Sequence, residues 1–388
     1  MNKMKCRHCQ SELDHMFVDL GFAPPSNAYL QPEALSKPEM TLPLRVRVCH
    51  QCWLVQTEDY AQADTFFNDD YAYFSSASSS WLEHAAAYSE KIIKKLSLGS
   101  SHHVVELASN DGYLLKNFLS QGIPCLGIEP TQSTADAARK LGIPVVGEFF
   151  GEDLAVRLVK QGKSADLIAA NNVYAHVPDI NDFTKGIQSL LKPQGIVTIE
   201  FPHLMQLLKN SQFDTIYHEH FSYLSLHTVS RIFASCGLRV FDVEELPTHG
   251  GSLRIYGCHG LANWKNEPQV QAILAQEQLS SMQSLVGYAG FQAKVNRIKD
   301  DLLAFLIEQK KLGKKVVAYG AAAKGNTLLN YAGVRPDLLP IVFDAAPSKQ
   351  GKLMPGSHIP IHAPDQLAEA QADYVLVLPW NIAEENSP

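Results

Sequence analysis

The stretch His102-His103-Val104-Val105-Glu106-Leu107-Ala108-Ser109-Asn110-Asp111-Gly112 decides the fold of this 388-residue chain. Its first six residues form a short apolar run typical of a strand, and Ala108 to Gly112 are the small and polar residues of a turn. Residues 113–119 then have the apolar spacing of a helix. A strand, a turn and a helix in this order predict the first unit of a parallel α/β sheet.

A second strand is predicted at Cys125 to Pro130, and it ends on the acid Glu129. A helix pattern from Ser133 to Leu141 and further strands at residues 165–170 and 195–200 continue the alternation. Small residues in the first turn let backbone amides approach a ligand. An acid about twenty residues further along accepts hydrogen bonds from both ribose hydroxyls. The pattern therefore predicts a nucleoside-containing ligand with its ribose on Glu129.

The first turn lacks the glycine pattern of a dinucleotide-binding loop. Ala108 and Asn110 stand where glycine is preferred, and Asp111 brings a negative charge where a pyrophosphate would lie. S-Adenosylmethionine has no phosphate and carries a cationic sulfonium and an amino group, so it suits an acidic turn better. An NAD(P)-dependent sugar oxidoreductase and a turn that only packs stay open as alternatives.

Polar residues follow the predicted strand at 165–170. The segment Asn171 to Asp179 includes Asn172 and His176 and lies at the carboxyl edge, where open sheets bind ligands. It is a second predicted part of the site, although a proline-containing loop with satisfied Asn side chains has the same sequence pattern.

The run Tyr217-His218-Glu219-His220-Phe221-Ser222-Tyr223-Leu224-Ser225-Leu226-His227 crowds titratable groups among aromatic and apolar residues. Partial burial moves the pKa values of such groups toward neutrality and supplies general acids and bases. The run therefore predicts an active site, with a core-lining strand or turn as the alternative. His218 and His220 as metal ligands are disfavoured, because a spacing of two lacks the i, i+4 geometry of helical zinc sites.

Four of the seven cysteines form two C-x2-C knuckles, Cys6 with Cys9 and Cys49 with Cys52. Two such turns place four thiolates on one ion and leave no open coordination position, so we predict a structural zinc site. The thirty-nine residues between the knuckles predict an inserted loop.

A second α/β unit is predicted near the carboxyl end. Lys315 to Gly320 has a strand pattern, Ala321 to Thr327 is a turn of small residues, and Leu328 to Tyr331 is helical. A helix amino terminus with small residues and Lys324 is a suitable place for a diphosphate. A helical stretch from Pro268 to Leu312, broken near residues 287–290, precedes this unit.

Charge and composition exclude other classes. The net charge of −7 is spread without a Lys/Arg stripe, which disfavours nucleic acid as a partner and a zinc-ribbon nucleic-acid methyltransferase as the function. The sequence has no apolar run of eighteen residues and no signal-peptide pattern near Met1, so we expect a cytoplasmic protein without membrane contact.

Taken together, these motifs and two more segments, Tyr71 to Ser76 and Leu378 to Asn381, resemble the sugar C-methyltransferases of deoxysugar biosynthesis. Those enzymes methylate nucleotide-linked 4-keto-6-deoxyhexoses with S-adenosylmethionine. The resemblance implies an α/β protein with a zinc-binding domain at 1–70, a central Rossmann-like class I methyltransferase domain at 71–248, and a carboxyl-terminal α/β domain at 249–388 that helps hold the nucleotide-sugar. The family usually has glycine where this chain has Ala108.

The resemblance also implies roles for particular residues. His220 is the expected base that removes the proton beside the ketone, with Tyr217 and Glu219 orienting it or the sugar, and Tyr73 slightly favoured over Tyr71 as donor to the keto oxygen. The expected cofactor contacts are Glu106, Ser109, Asp111, Gly112, Glu129 and Asn172. The expected substrate contacts are Tyr71, His176, Lys324, Asn326 and Asn381.

The sequence leaves several points open. It does not decide whether C3, which we expect, or another carbon is methylated, whether the neighbouring position carries hydroxyl or amine, or whether dTDP is the nucleotide carrier. We expect a monomer or a weak homo-oligomer. A noncatalytic scaffold in which residues 217–227 only pack is the remaining alternative.

Overall fold

Three β-sheets organise the chain in the computed structural model, which describes residues 4–60 and 74–382. An antiparallel four-stranded sheet lies at the amino end, a seven-stranded sheet in the middle, and a parallel four-stranded sheet at the carboxyl end. This arrangement confirms the predicted α/β class. Within the described residues, no helix is both long and apolar enough to cross a membrane.

The amino-terminal sheet has the strand order β1-β2-β3-β9. Its strands are β1 (His15–Ala23), β2 (Leu42–Val48), β3 (Val55–Thr57) and β9 (Ser222–Tyr223). Residues 44, 46 and 48 of β2 are buried and their neighbours are not, as expected for a strand with one face on the core. The last strand comes from the predicted active-site run, so the sheet holds that run against the cysteine knuckles.

The central sheet has the order β10-β11-β8-β7-β4-β5-β6. Its strands are β4 (Val104–Leu107), β5 (Cys125–Ile128), β6 (Val145–Val146), β7 (Ala165–Asn171), β8 (Leu191–Pro202), β10 (Leu238–Leu246) and β11 (Ser252–His259). The first five are parallel; four of them are predicted from the sequence, and β6 is not. Strand β11 runs antiparallel between β8 and β10. The expected domain limit at residue 248 therefore falls inside the β10–β11 hairpin of this sheet.

Both faces of the central sheet are buried, which explains its nearly continuous apolar strands. Val105 and Leu107 join one core cluster, whereas Val104 joins the cluster on the opposite face. The helices of the chain are α1 (Ser79–Leu96), α2 (Leu115–Ser120), α3 (Gln132–Lys140), α4 (Glu152–Lys160), α5 (Ile180–Leu190), α6 (Leu204–Asn210), α7 (Leu226–Ser235), α8 (Pro268–Leu279), α9 (Phe291–Lys311) and α10 (Ala323–Ala332).

The carboxyl-terminal sheet has the order β14-β13-β12-β15, all parallel. Its strands are β12 (Val316–Tyr319), β13 (Val342–Phe343), β14 (Ile361–His362) and β15 (Tyr374–Val377). Helix α10 begins at Ala323, earlier than the predicted start at Leu328, so Lys324 lies in its first turn. A single turn of 3-10 helix at Leu285–Tyr288 breaks the predicted long helical stretch into α8 and α9.

Hydrogen bonds connect the carboxyl-terminal unit to the amino-terminal and central units. The amide of Asn326 donates to the carbonyl of Ser26 at 2.6 Å, and the hydroxyl of Thr327 donates to the carbonyl of Ile216 at 2.8 Å. Because both donors are on α10, this helix connects the carboxyl-terminal unit to the other two.

Candidate active site

A cavity of about 570 Å³ opens at the carboxyl ends of β4, β5 and β7. Asn27 reaches it from the amino-terminal unit, Glu129 and His220 from the central part of the chain, and Lys324 and Lys349 from the carboxyl-terminal unit. Since open α/β sheets bind ligands at this edge, the cavity is the candidate active site.

The turn after β4 presents Ala108 and Asn110 to the cavity. Their φ angles of 56° and 48° lie in the left-handed region, which asparagine tolerates and which costs alanine roughly 1–2 kcal/mol. Gly112 has a φ of 81°, and a Cβ at this position would lie 2.5 Å from Cδ1 of Ile143. The turn therefore packs closely against Ile143 and against Ala138 of α3.

Glu129 lies directly after β5 on the cavity wall. One carboxylate oxygen accepts from the amide of Asn110 at 2.8 Å, and the other accepts from the amide of Thr131 at 2.9 Å. Burial raises the pKa of this carboxyl. Each oxygen keeps a further lone pair, and ribose hydroxyls are suitable donors to it.

Four residues predicted to contact the cofactor do not line the cavity: Glu106, Ser109, Asp111 and Gly112. The Ser109 hydroxyl lies against β5, since a Cβ on Gly127 would meet its Oγ at 2.4 Å. The Asp111 carboxylate accepts from the amide of Ser76 at 3.0 Å. These two side chains therefore contact other parts of the protein and hold the turn in place.

Glu106 is completely buried one residue before the end of β4. Burial raises its pKa, the negative charges of Glu129 and Asp111 raise it further, and a hydrogen bond with Tyr113 opposes them. The raised pKa favours the neutral form of Glu106, so the negative potential at this end of the cavity comes from Glu129 and Asp111. The turn is therefore electrostatically suited to a cation.

Asn172 follows β7 on the cavity wall, and His249 faces it from the β10–β11 connection. Its Nδ2 donates to Nε2 of His249 at 3.2 Å, and its Oδ1 is buried without a hydrogen-bond partner among the described residues. Burial lowers the pKa of His249 to about 4. The sequence analysis missed His249, and its only local signal is the pair Gly250-Gly251, both with positive φ.

His220 lines the same cavity. Its Nδ1–H donates to the carbonyl of Thr215 at 2.9 Å, and because a carbonyl can only accept, Nε2 carries the lone pair. Burial, first, and the neighbouring His176 lower its pKa well below the usual value. The imidazole is therefore neutral, fixed in one tautomer, and able to accept a proton at Nε2.

Aromatic and acidic groups surround this imidazole. The rings of Tyr217 and His220 are 4.0 Å apart, and His176 meets His220 edge-on at 4.6 Å. Nδ1 of His176 donates to the carbonyl of Glu219 at 2.8 Å, and burial lowers the pKa of His176 to about 4. The Glu219 carboxylate accepts from Asn27 at 2.8 Å, and burial raises its pKa to about 7. The structure thus brings together three of the residues predicted from the run.

The carboxyl-terminal unit gives the cavity a cationic end. Lys324 in the first turn of α10 hydrogen-bonds Asn381 and lies 4.9 Å from the ring of Trp380. Lys349, which the sequence analysis missed, donates to the carbonyl of Ala321 at 2.8 Å. Burial lowers the pKa of Lys324.

Two predicted substrate contacts, Asn326 and Asn381, do not line the cavity. Asn326 is bonded to Ser26 and joins two units, and Asn381 supports Lys324. Tyr71 and Tyr73 lie outside the described residues.

The four knuckle cysteines converge, with all four sulfurs within 4.8 Å of one another. The Cys6–Cys52 and Cys9–Cys49 sulfur pairs are each 3.5 Å apart. A tetrahedral zinc ion with Zn–S bonds of about 2.3 Å needs sulfurs about 3.8 Å apart, so the four residues fit zinc. Among the described residues this is the one such cluster, and it does not include His218 or His220.

Three family profiles match successive parts of the chain. They describe a zinc binding domain at residues 6–67, a methyltransferase domain at 81–243 and a C-methyltransferase C-terminal domain at 247–387. The C-methyltransferase NovU of Streptomyces niveus is 33% identical over 381 residues, which cover 98% of this chain and 90% of that protein.

Two solved methyltransferases each match less than half of the chain. An S-adenosylmethionine-dependent methyltransferase of Clostridium acetobutylicum is 11% identical, covers 46% of this chain and 92% of its own, and has a TM-score of 0.38. One from Anabaena variabilis is 16% identical, with 45% and 84% covered and a TM-score of 0.37.

Proposed function

The chain belongs to the S-adenosylmethionine-dependent C-methyltransferase family. From this premise we propose that it methylates a nucleotide-linked 4-keto-deoxysugar at C3, the carbon beside the ketone, and that dTDP is the nucleotide carrier.

 The proposed reaction forms a C–C bond at the carbon next to the keto group. The enolate carbon attacks the methyl group on the sulfonium of S-adenosylmethionine, the S–CH3 bond breaks, and S-adenosylhomocysteine leaves as a neutral thioether.

Family membership confirms the resemblance seen in the sequence and excludes the oxidoreductase and scaffold alternatives. The cofactors are S-adenosylmethionine and zinc, and the four knuckle cysteines are the proposed zinc ligands. The keto-sugar, the methylated carbon and the residue roles are parts of the proposal.

The observation that carries the proposal is that one cavity is lined by His220, by the acid Glu129 and by the cations Lys324 and Lys349. Glu129 lies at the end suited to a cationic cofactor, and Lys324 and Lys349 lie at the end suited to an anion. A substrate that joins a diphosphate to a reactive sugar would place the sugar between these ends, beside Nε2 of His220. Sugar and cofactor would then meet at the imidazole.

His220 acts as the base in this proposal. A carbon next to a ketone loses a proton only when a base accepts it while the enolate is stabilised. The proton moves to Nε2, while Nδ1–H keeps its bond to the Thr215 carbonyl and orients the ring. The resulting imidazolium is disfavoured by burial, but the negative enolate beside it offsets that cost.

Other groups around the base orient the sugar. Tyr217 lies against the ring of His220, and Glu219 has a pKa near 7, so its carboxyl is able to donate or accept a hydrogen bond at neutral pH. His176, whose ring lies edge-on to His220 at 4.6 Å, is proposed to contact the sugar beside the base. Asn172, oriented by His249, offers its Oδ1 to the amino group of the cofactor.

The test is the variant His220→Asn, whose amide is still able to donate to the Thr215 carbonyl. We expect both ligands to bind while turnover falls roughly 10²–10⁴-fold, the usual contribution of a general base. In deuterium oxide with S-adenosylhomocysteine, wild-type enzyme should introduce deuterium at the carbon beside the ketone, and the variant should not. Mass spectrometry measures both the exchange and the methylated product.

The matched control is His218→Asn. His218 is two residues away, contacts the carbonyl of Pro43 at 3.3 Å and does not line the cavity, so exchange should persist. Deuterium exchange at the wild-type rate in His220→Asn would show that another group is the base. If wild-type enzyme methylates no member of a panel of dTDP- and GDP-linked 4-keto sugars, the proposed substrate class is wrong.

A further inference from the structure

Arg7 stands inside the first cysteine knuckle, between Cys6 and Cys9, and its guanidinium reaches the wall of the cavity. Only 6% of its side chain is exposed. Nη1 donates to the carbonyl of Pro178 at 2.8 Å, and Nη2 donates to the carbonyl of Thr57 at 3.1 Å. One planar cation therefore holds two separate segments of the chain.

Both segments are directly connected to the imidazoles of the site. Pro178 lines the cavity two residues after His176. The hydroxyl of Thr57 donates to the carbonyl of His220 at 3.0 Å. One carbonyl bound by Arg7 is therefore close in sequence to His176, and the other belongs to a residue that hydrogen-bonds His220. The rings of these two histidines are 4.6 Å apart.

Phe221 closes the same arrangement. Its ring centroid lies 5.3 Å from the guanidinium carbon of Arg7, and its carbonyl accepts from the amide of Thr57 at 3.2 Å. Its own amide donates to the carbonyl of Ala175 at 2.8 Å. The segment that contains His220 is therefore hydrogen-bonded to the segment that contains His176 through Phe221, the residue whose ring Arg7 contacts.

The other end of Arg7 is fixed by the knuckle. Its backbone amide donates to Oε1 of Gln56 at 2.9 Å, and Nε2 of the same glutamine donates to the sulfur of Cys6 at 3.2 Å. Asn181 donates to the carbonyls of Arg7 and His8, at 3.3 and 2.8 Å. A metal ion that fixes the sulfurs fixes the backbone from which the guanidinium extends.

We infer that Arg7 is a positioning residue through which the zinc knuckle sets the distance between His176 and His220. The inference rests on the proposed function, because it assigns Arg7 to the base and not to either ligand. Arginine is suited to this role, since its fork offers several donors in fixed directions, whereas a lysine amine is a single flexible point charge. Small displacements of a catalytic group lower turnover strongly, by as much as 10²-fold for 1 Å.

The kinetic test uses Arg7→Lys and Arg7→Met. We expect kcat to fall roughly 10–100-fold, with the KM for S-adenosylmethionine within about twofold of wild type, because neither substitution touches the cofactor end. The matched control is Arg47→Met in β2, another arginine of the amino-terminal unit. Arg47 pairs with Glu58 and the carbonyl of Leu13, inside the amino-terminal unit, so its loss should leave kcat within about threefold.

A second readout needs no substrate. Amide hydrogen exchange at residues 174–178 and 219–223 should become faster in Arg7→Met, while exchange in β4 and β5 stays unchanged. Removing zinc from the wild-type protein with a chelator should speed exchange in the same two segments. The same treatment of Arg7→Met should add little there, because the connection is already broken.

Two results would overturn the inference. One is chelation that opens residues 5–12 and 48–54 while exchange at 174–178 and 219–223 does not change. The other is a fall in kcat for Arg47→Met as large as that for Arg7→Met, which would reflect general destabilisation. Since exchange is measured without a sugar, failure of the inference is distinguishable from failure of the proposed substrate.

Discussion

The central and carboxyl-terminal sheets place an acid at the same point of the same local frame. In each, a first strand, a turn and a helix are followed by a second parallel strand, and Glu129 or Asp344 comes directly after it. Each carboxylate accepts one backbone N–H from the first turn and one from two residues further along the chain. The donors are Asn110 at 2.8 Å and Thr131 at 2.9 Å for Glu129, and Ala321 at 2.6 Å and Ala346 at 2.8 Å for Asp344.

The two units differ in the charge around that shared frame. Glu129 makes no salt bridge among the described residues and has Glu106 and Asp111 as neighbours, whereas Asp344 has Lys349 at 3.5 Å. Lys324 adds a second cation at the carboxyl-terminal turn. The comparison teaches that the frame fixes where a ligand lies, and that the side chains around it select the sign of the ligand's charge.

The largest effect expected from this difference is that of Glu129→Ala. We expect it to weaken S-adenosylmethionine binding by about 1.5–3 kcal/mol, the range for losing a charged partner of buried hydroxyls. Binding of the nucleotide-sugar should barely change, because its proposed charge partners are in the other unit. Titration calorimetry with each ligand measures both affinities.

The pH dependence of the same binding provides the control. Burial raises the pKa of Glu129, and a bound cation favours its ionised form, so binding should release protons and weaken as the pH falls through that raised pKa. Glu129→Gln should lose this slope, because an amide does not titrate. Equal losses for both ligands in Glu129→Ala would indicate that the residue supports the fold instead of the cofactor.

A smaller effect is expected at the opposite end from Lys349→Met. We expect nucleoside diphosphate binding to weaken by about 1.5 kcal/mol, the lower end of the range for a charged hydrogen bond, because Asp344 already neutralises part of the lysine charge. S-Adenosylmethionine binding should not change. Calorimetry with dTDP measures the effect.

Lys352→Met is the matched control, three residues along the chain and not on the cavity wall. The same loss for Lys352→Met would show that the general charge of the carboxyl-terminal unit attracts the diphosphate, without a specific contact from Lys349. A loss of S-adenosylmethionine affinity would contradict the separation of the two ends.

Sequence patterns located the parts of the site that depend on local structure. Glu129 follows from a strand that ends on an acid, Lys324 from a helix amino terminus, and the cysteine knuckles from their spacing. Ser109 shows the limit of this reasoning, because its side chain direction depends on the turn's backbone angles and on the space left by Gly127. No local pattern distinguishes a turn residue that faces the ligand from one that faces the sheet.

The residues that were missed reach the cavity only through tertiary structure. His249 faces Asn172 because β11 inserts antiparallel beside β8, which brings the β10–β11 connection to the cavity edge. Lys349 and Asn27 lie in irregular segments that depend on how the units pack together. Strand β9 has only two residues and pairs with β3 of the amino-terminal sheet, which is distant in sequence. Its formation depends on tertiary packing and not on local strand propensity.

The smallest expected effect comes from exchanging the first residue of the two turns. Ala108 and Gly320 each directly follow the first strand, with φ angles of 56° and 88°. The left-handed region costs alanine roughly 1–2 kcal/mol, and glycine gives back about 0.4–1 kcal/mol through the greater freedom of the unfolded chain. Ala108→Gly should therefore stabilise the protein by about 0.5–1 kcal/mol, measured as a higher urea midpoint at an unchanged m-value.

The reciprocal variant, Gly320→Ala, separates backbone strain from packing, because its Cβ would lie 2.3 Å from Cδ of Pro379 as well as in the left-handed region. We expect it to lower the urea midpoint by more than Ala108→Gly raises it, since overpacking adds to the strain. If Ala108→Gly lowered the midpoint instead, the Ala108 methyl group on the cavity wall would contribute more through its contacts than its backbone angle costs. The two turns would then have the same position in their units but would be stabilised by different interactions. The glycine that is usual in this family would not be the more stable residue at position 108 of this chain.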